Sequence, residues 1–432
     1  MILQLFPART VLVVGAGWLA LGSAEAAETL DEAIAAAMRS NPGIAVRREQ
    51  AEGARENLNA VFSGYFPKLL ISGSAGRGQP STATGVAIAD QLQQRTLGYS
   101  AEIDQPLFDG LRTVHAAEEA REAALAADED LAAYRLQVEM LVVHSYMAVL
   151  GGRSQVTLLG RSVAALQADL TFLGQQLKAG ETTRTDLDLT TQRLAAARNA
   201  VASAEAGLAQ AAAEFEQATG APPPALAQPA MADAALPGSL EALLAAALKV
   251  HPSVLAAIHR ERSASGSVGK AEADFYPQVG LRAAYSRGYT DPAALTDGPD
   301  AQVTAQVTLP VSLGGETIAR VRQAKALLRQ RRHETAAERA ELRAMLTASW
   351  GRLAAARQRI KFARQAVEAS EHALAGLRVQ RKAGERTTLE VLDAQRDLIG
   401  AQQQQIQSRS DLVIAEHEVL AGIGHEPAAA AQ

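Results

Sequence analysis

The chain has 432 residues, no cysteine, 4% aromatic residues and a formal charge of −5. The lack of thiols excludes a disulfide framework, a thiolate metal centre, a Cys nucleophile and an acylated N-terminal Cys. The mild acidity leaves no broad basic footprint for nucleic acid, and few aromatics beside abundant Ala suit long, closely packed helices rather than a thick core.

Residues 1–26 read as a secretory leader. Arg9 supplies the positive flank, Val11 to Leu21 the apolar run, and Ala24-Glu25-Ala26 the small-residue cleavage signal. That run is too short to span a bilayer, and no later stretch is apolar for long enough to cross as a helix. Gly15-Ala16-Gly17 looks like the start of a dinucleotide-binding turn, but no strand–helix alternation follows it.

The capping box Thr29-Leu30-Asp31-Glu32 opens a short helix that Asn41-Pro42 breaks near Ser40. A second helix is expected from Gly43 to Gly64, and Pro67 then starts extended chain. Two strands are expected at about 68–77 and 95–108. Leu69, Ile71, Gly73 and Ala75 alternate with polar neighbours in the first, and Leu97, Tyr99, Ala101, Ile103 and Leu107 in the second. A polar loop, Gly78 to Gln94, joins them. Alternation over about ten residues is the signature of a transmembrane β-strand, but a surface hairpin of a soluble protein gives the same pattern. A long helical hairpin is expected over 110–219, its first arm free of Pro and about 100 Å long. It turns at Lys178-Ala179-Gly180-Glu181. On the return, Leu187, Leu194, Val201, Leu208 and Phe215 recur every seventh residue, which predicts left-handed coiled-coil packing.

A Pro/Ala-rich linker, 221–238, separates this first unit, 27–220, from a second, 239–422, that repeats it; 423–432 form a tail. Lys382-Ala383-Gly384-Glu385 restores the same tetrapeptide 204 positions on (382 − 178). At that interval Pro106-Leu107-Phe108-Asp109-Gly110 finds Pro310-Val311-Ser312-Leu313-Gly314, and Ser145-Tyr146 finds Ser349-Trp350. Further upstream the interval is 210 (251 − 41), pairing Asn41-Pro42 with His251-Pro252 and Tyr65-Phe66-Pro67 with Phe275-Tyr276-Pro277. The difference places an insertion in the first strand-joining loop. The second unit predicts strands at about 278–287 and 301–313, a loop from Gly288 to Asp300, and a hairpin over 315–421 with heptads at Leu392, Ile399, Ile406, Val413 and Leu420. Tandem repeats of this size set the architecture.

Four strands per chain cannot close a barrel, and unpaired backbone groups in hydrocarbon cost several kcal/mol each. If the strands cross a membrane, several chains share one barrel, and three chains supply twelve strands. On that condition the expected fold is an α+β membrane protein of two tandem repeats, whose four transmembrane strands per chain join a shared barrel that the coiled-coil helices prolong as a hollow tube. No enzyme site accompanies it. The eight His are scattered, and neither a metal-binding helix motif, a phosphate loop nor a nucleophile elbow occurs. No catalytic residue, cofactor or metal is expected, and the charge run Arg329 to His333 reads as a solvated helix face. A pore-free periplasmic scaffold or adaptor is the alternative class.

Three stretches carry a family resemblance: LDEAIAAAMRSNPGI with YFPKL, repeated as LEALLAAALKVHPSV with FYPQV; QPLFDGLRT; and AGERTTLEVLDAQRDL. Across nearly the whole mature chain the sequence resembles the TolC-like outer membrane efflux family, and most of all its type I secretion branch. The resemblance implies a homotrimer with a 12-stranded barrel in the outer membrane of a Gram-negative cell and an α-helical coiled-coil tunnel across the periplasm. It implies a passive duct joined through a periplasmic adaptor to an inner-membrane ABC or proton-driven transporter, with outer membrane lipid around the barrel and no nucleic acid partner. Protein secretion is the expected task, with drug, small-molecule or metal efflux as the alternative.

The same resemblance places a periplasmic gate at the hairpin tips, on Thr185, Asp186, Arg386, Glu390 and Asp393, with Arg386 reaching Thr185 and Asp186 of an adjacent helix pair. Adaptor docking falls on Gly180, Glu181, Thr182, Thr183, Gly384, Glu385 and Thr387. Threefold symmetry would gather Glu390 and Asp393 into acidic rings that favour cations and raise their own pKa values by repulsion. Arg381 stands where the family often has an aromatic. The residues alone also allow a plainer reading, because Thr183 with Asp186 and Thr387 with Glu390 are both capping boxes. Asp393 cannot cap from its position and is assigned to the lumen. Gly180 and Gly384 are expected to supply left-handed turns.

Overall fold

The computed structural model describes residues 27–78, 94–229, 238–291, 298–311 and 313–424. The expected leader, most of the first strand-joining loop and the end of the tail lie outside the described residues.

Two short helices come first, α1 (Leu30–Ser40) and α2 (Pro42–Phe62). Thr29 and Glu32 complete the expected capping box on α1, and Asn41 caps α2 with Pro42 in its first turn. Strands β1 (Lys68–Gly78) and β2 (Gln94–Phe108) follow. Gly110 and Leu111 then take left-handed conformations and turn the chain into α3 (Arg112–Ala179), 68 residues or about 100 Å long. A side chain at Gly110 would strike the Ala273 carbonyl and Tyr276, so the turn needs glycine for space as well as for φ. The return helix α4 (Arg184–Thr219) is about half as long. The order repeats with α5 (Leu240–Val250), α6 (Pro252–Glu272), β3 (Gln278–Asp291), β4 (Pro299–Thr308), α7 (Glu316–Lys382) and α8 (Thr388–Gly422).

The half-length return leaves the upper part of each long helix to the short helices that precede the strands. α4 ends at Gly220 against Ser40, whose hydroxyl donates to the Thr219 carbonyl at 2.6 Å, so α4 and α2 meet end to end along α3. Gly424 abuts His251 and Pro252 in the same way, so α8 and α6 meet along α7. Two tiers result. Below the junctions the helices stand in the order α4–α3–α8–α7, and above them α2–α3–α6–α7.

The four strands form one antiparallel sheet in the order β1–β2–β3–β4. Its centre is the β2–β3 pairing, which joins the two halves of the chain. β3 runs on to Asp291, so Gly288–Asp291, expected in a loop, pair with Arg95–Gly98. β4 stops at Thr308, short of the expected 313, because Pro310 has no N–H to donate. The register puts Leu69, Ile71, Leu97, Tyr99, Ile103, Leu281, Tyr285, Val303 and Val307 on one face. Lys68, Ser72, Ser74, Ser100, Glu102, Asp104, Arg282, Thr304 and Gln306 share the other. Among the described residues nothing covers the apolar face, and all of its large side chains named here are exposed.

The buried core is helical. One cluster gathers α1 and α3 around Tyr146 and Phe215, and a second gathers α5, α7 and α8 around Leu346 and Val419. The Tyr146 hydroxyl donates to the carbonyls of Glu28 and Ala227, at 2.8 and 2.6 Å. Arg153 holds Pro223 and Pro224 by their carbonyls, so the first part of the interdomain linker lies fastened to α3. Along α3, Leu159, Leu166 and Leu173 are buried at heptad spacing; along α7, Leu342, Ser349, Ala356 and Ala363 repeat that phase.

Candidate functional site

The tips are built by two identical devices. Gly180 (φ 75) and Gly384 (φ 78) reverse the chain after α3 and α7, a conformation that costs other residues about 1–2 kcal/mol. Each return helix then starts with a completed capping box. The Thr183 hydroxyl accepts from the Asp186 N–H while Asp186 accepts from Thr183, and Thr387 with Glu390 repeats the arrangement. The structure thus gives both acids the capping duty that the residues alone allow. Thr185, Glu181, Thr183, Glu385 and Thr387 are exposed; Thr182 is half-buried and donates to Asp186 at 3.2 Å.

The two caps differ in charge environment. Asp186 accepts from the Thr183 hydroxyl, the Thr183 N–H and the Thr182 hydroxyl, and these bonds hold its pKa below the usual carboxylate range. Glu390 accepts from the Thr387 N–H and lies 2.7 Å from the Arg386 guanidinium, and its pKa falls to about 2. Repulsion in an acidic ring was expected to raise it. Within one chain the cap hydrogen bonds and Arg386 act in the opposite direction. Arg386 is accordingly spent on its own helix, on Glu390 and Gln380, rather than on Thr185 or Asp186 of the same chain.

Asp393 has a partner that motif reading missed. Arg193 of α4 donates to it at 2.8 Å, an ion pair across the two return helices. Beneath the bridge Leu166, Leu194 and Leu392 form a small separate cluster. A usable signal was present: Arg193 precedes heptad Leu194, Asp393 follows heptad Leu392, and charges flanking facing seams pair across coiled coils. Glu390, Asp393 and Asp397 also rim an acidic cleft floored by Ala369, Ala373 and Ala394. Arg381 is half-buried in the last turn of α7. Among the described residues no cluster of His, Asp or Glu is arranged to hold a metal ion.

An open four-stranded sheet with one exposed apolar face, carried on helices about 100 Å long, suits a protein that presents that face to a membrane. The sequence matches the outer membrane efflux protein family twice, over residues 33–221 and 243–425. The chain belongs to that family. It is 31% identical over 414 residues to the outer membrane efflux protein BepC of Brucella suis biovar 1 (strain 1330), covering 95% of this chain and 89% of BepC. It is 22% identical to the alkaline protease secretion protein AprF of Pseudomonas aeruginosa, over 88% of this chain and 81% of AprF. Its fold matches the Campylobacter jejuni CmeC outer membrane channel with a TM-score of 0.82 at 14% identity, over 92% of this chain and 86% of CmeC. The protein is therefore an outer membrane efflux channel, and the alternative of a pore-free scaffold falls.

Proposed function

We propose that three copies close into a 12-stranded barrel and a helical tunnel, and that each chain contributes two copies of one structural unit. One observation carries this reading. In the sheet and in both helical tiers the free edges are the same: a first-half element on one side and a second-half element on the other. β1 with β4, α2 with α7 and α4 with α7 are left unpaired together, so one head-to-tail contact satisfies all three tiers and repeats around a ring. Lipid would lie against the apolar face and the polar face would line the lumen. Exposed Tyr65, Phe66, Phe275 and Tyr276 at the helix–strand junctions suit a membrane-interface girdle.

In this reading the tunnel is a passive duct and the tips are its gate. Thr185, Asp186, Arg386, Glu390 and Asp393 surround the constriction, and the Arg193–Asp393 bridge ties the return helices of one chain together. The exposed tip residues around Gly180 and Gly384 form the docking surface for a periplasmic adaptor, which links the duct to an inner-membrane transporter. Protein secretion through a type I system is the function proposed, and the likeness to AprF, named for protease secretion, supports it. The higher identity to BepC, named for efflux, supports small-molecule efflux as the second reading. Single-channel recording in a planar bilayer tests the duct. Wild type should give small, cation-selective openings, and Asp393→Ala/Arg386→Ala larger, less selective ones. Folded protein without conductance would overturn the pore, and unchanged openings would return these residues to capping and surface duty. Crosslinking in cells decides the cargo class: an ABC exporter captured with the channel supports secretion, a proton-driven pump supports efflux.

A further inference from the structure

The apolar face of the sheet is not apolar along its whole length. The register places Arg77, Arg95 and Arg287 on it, all toward the ends of the strands farthest from the helices. Below them the same face carries Leu69, Ile71, Ala75, Leu97, Ala101, Ile103, Leu281, Ala283, Val303 and Val307 without a charge. Arg77 and Arg95 are direct cross-strand partners and both are exposed. Like charges placed opposite one another on a sheet are destabilising unless an anion sits between them. Among the described residues neither makes an ion pair, and the one acid of this face, Asp291, is the register partner of Arg95 on β3. Arg287 lies across the ring of Tyr289, 4.8 Å from its centre, and its Nε is buried without a hydrogen-bond partner. Tyr99, Tyr285 and Tyr289 stand around it on the same face. The arrangement is three guanidinium groups, each a planar fork of donors, at the upper limit of a hydrocarbon-facing band and beside phenol rings that favour the membrane interface.

We propose that Arg77, Arg95 and Arg287 form a rim that binds phosphate groups of lipids in the outer leaflet, with the Arg77–Arg95 pair clamping one phosphate between two strands. Guanidinium–phosphate pairs are charge-assisted and can be bidentate, and the neighbouring hydrocarbon limits competition from water. The occupant is a membrane lipid rather than free phosphate, because the groups project from the lipid-facing surface. The inference rests on the sheet being a membrane-crossing wall. Threefold closure would repeat the rim three times around the barrel.

The test uses the purified full-length assembly in a neutral detergent. A bisphosphorylated glycolipid, its dephosphorylated form and inorganic phosphate are the probes, and bound lipid is counted by native mass spectrometry. Wild type should retain the bisphosphorylated lipid about tenfold better than Arg77→Gln/Arg95→Gln. It should retain the dephosphorylated form no better than that variant does. Arg287→Gln should weaken retention further. Equal retention by wild type and variant, or retention that ignores the phosphates, overturns the rim. Displacement of the lipid by millimolar inorganic phosphate would show a free-anion site and overturn the lipid assignment. Each preparation is also recorded in a planar bilayer. Conducting channels with unchanged lipid retention reject the rim alone, and folded protein that never conducts rejects the membrane-wall reading beneath it.

Discussion

α3 and α7 hold equivalent places in the two halves of the chain, yet their surroundings differ. α3 is flanked on both sides in each tier, by α2 and α6 above and by α4 and α8 below, whereas α7 has a long neighbour on one side alone, α6 above and α8 below, besides the short α5. Equivalent positions record the difference. Tyr146 of α3 is fully buried, with its hydroxyl shared by two carbonyls, while Trp350 of α7 is only half-buried. Glu139 of α3 is buried and Arg343, its counterpart on α7, is exposed. Phe362 and Val379 of α7 are 64% and 69% exposed. A difference between matched positions thus marks which helix is interior and which is a seam awaiting a neighbour.

The largest expected effect comes from deleting the matched aromatic residues. Tyr146→Ala should cost about 3–5 kcal/mol, the usual loss for a buried aromatic, read as a lower unfolding midpoint of the purified protein. Trp350→Ala, although it removes the larger side chain, should cost less within one subunit. An equal cost in the assembled protein would mean that a neighbouring chain covers Trp350, which sharpens the contrast into a seam assignment.

Glu139 gives the next effect. Burial, with the Asp31 carboxylate nearby, pushes its pKa up to about 7. The folded pKa lies above the unfolded value, so the folded state loses stability as pH rises from about 4.5 through 7. Glu139→Gln should therefore match wild type at pH 4 and gain on the order of 3 kcal/mol at pH 8. A thermal shift series across that range checks it, and a difference independent of pH would refute the buried-charge account.

The tips come third. Gly180→Val and Gly384→Val should each cost about 1–2 kcal/mol through the left-handed turn, visible as faster proteolysis at the altered tip. The smallest effect belongs to Arg193 and Asp393. Both are partly exposed, so a double-mutant cycle in stability should give a coupling of about 0.2–1 kcal/mol. Zero coupling would make the bridge a surface accident.

Much of this was legible in the sequence because it rests on local rules. Capping boxes at Thr29, Thr183 and Thr387, the breaks at Pro42 and Pro252 and the glycine turns at the tips depend only on near neighbours. Strand alternation was legible for the same reason. What the sequence hid was relational. The β2–β3 pairing, the meeting of α4 with α2 and the Arg193–Asp393 bridge all join segments far apart in the chain, and no residue type announces them. The tip acids show both sides. Their spacing revealed the caps, and with them the Thr387 N–H that does most to lower the pKa of Glu390, but not the turn of Arg386 that adds to it.

The end-to-end meetings at Gly220 and Gly424 have a mechanical meaning. Of the helices that build the long body, only α3 and α7 run unbroken past that level. The other members are butt-jointed, α4 to α2 by the Ser40 and Asn41 side-chain hydrogen bonds and α8 to α6 by the close approach of Gly424 to His251 and Pro252. Twist applied at the lower end of the chain travels upward through two continuous struts, while the butted members can slip in phase. In the tunnel proposed above, such a joint would act as a torsional isolator, letting the lower end rewind while the strand sheet keeps its register.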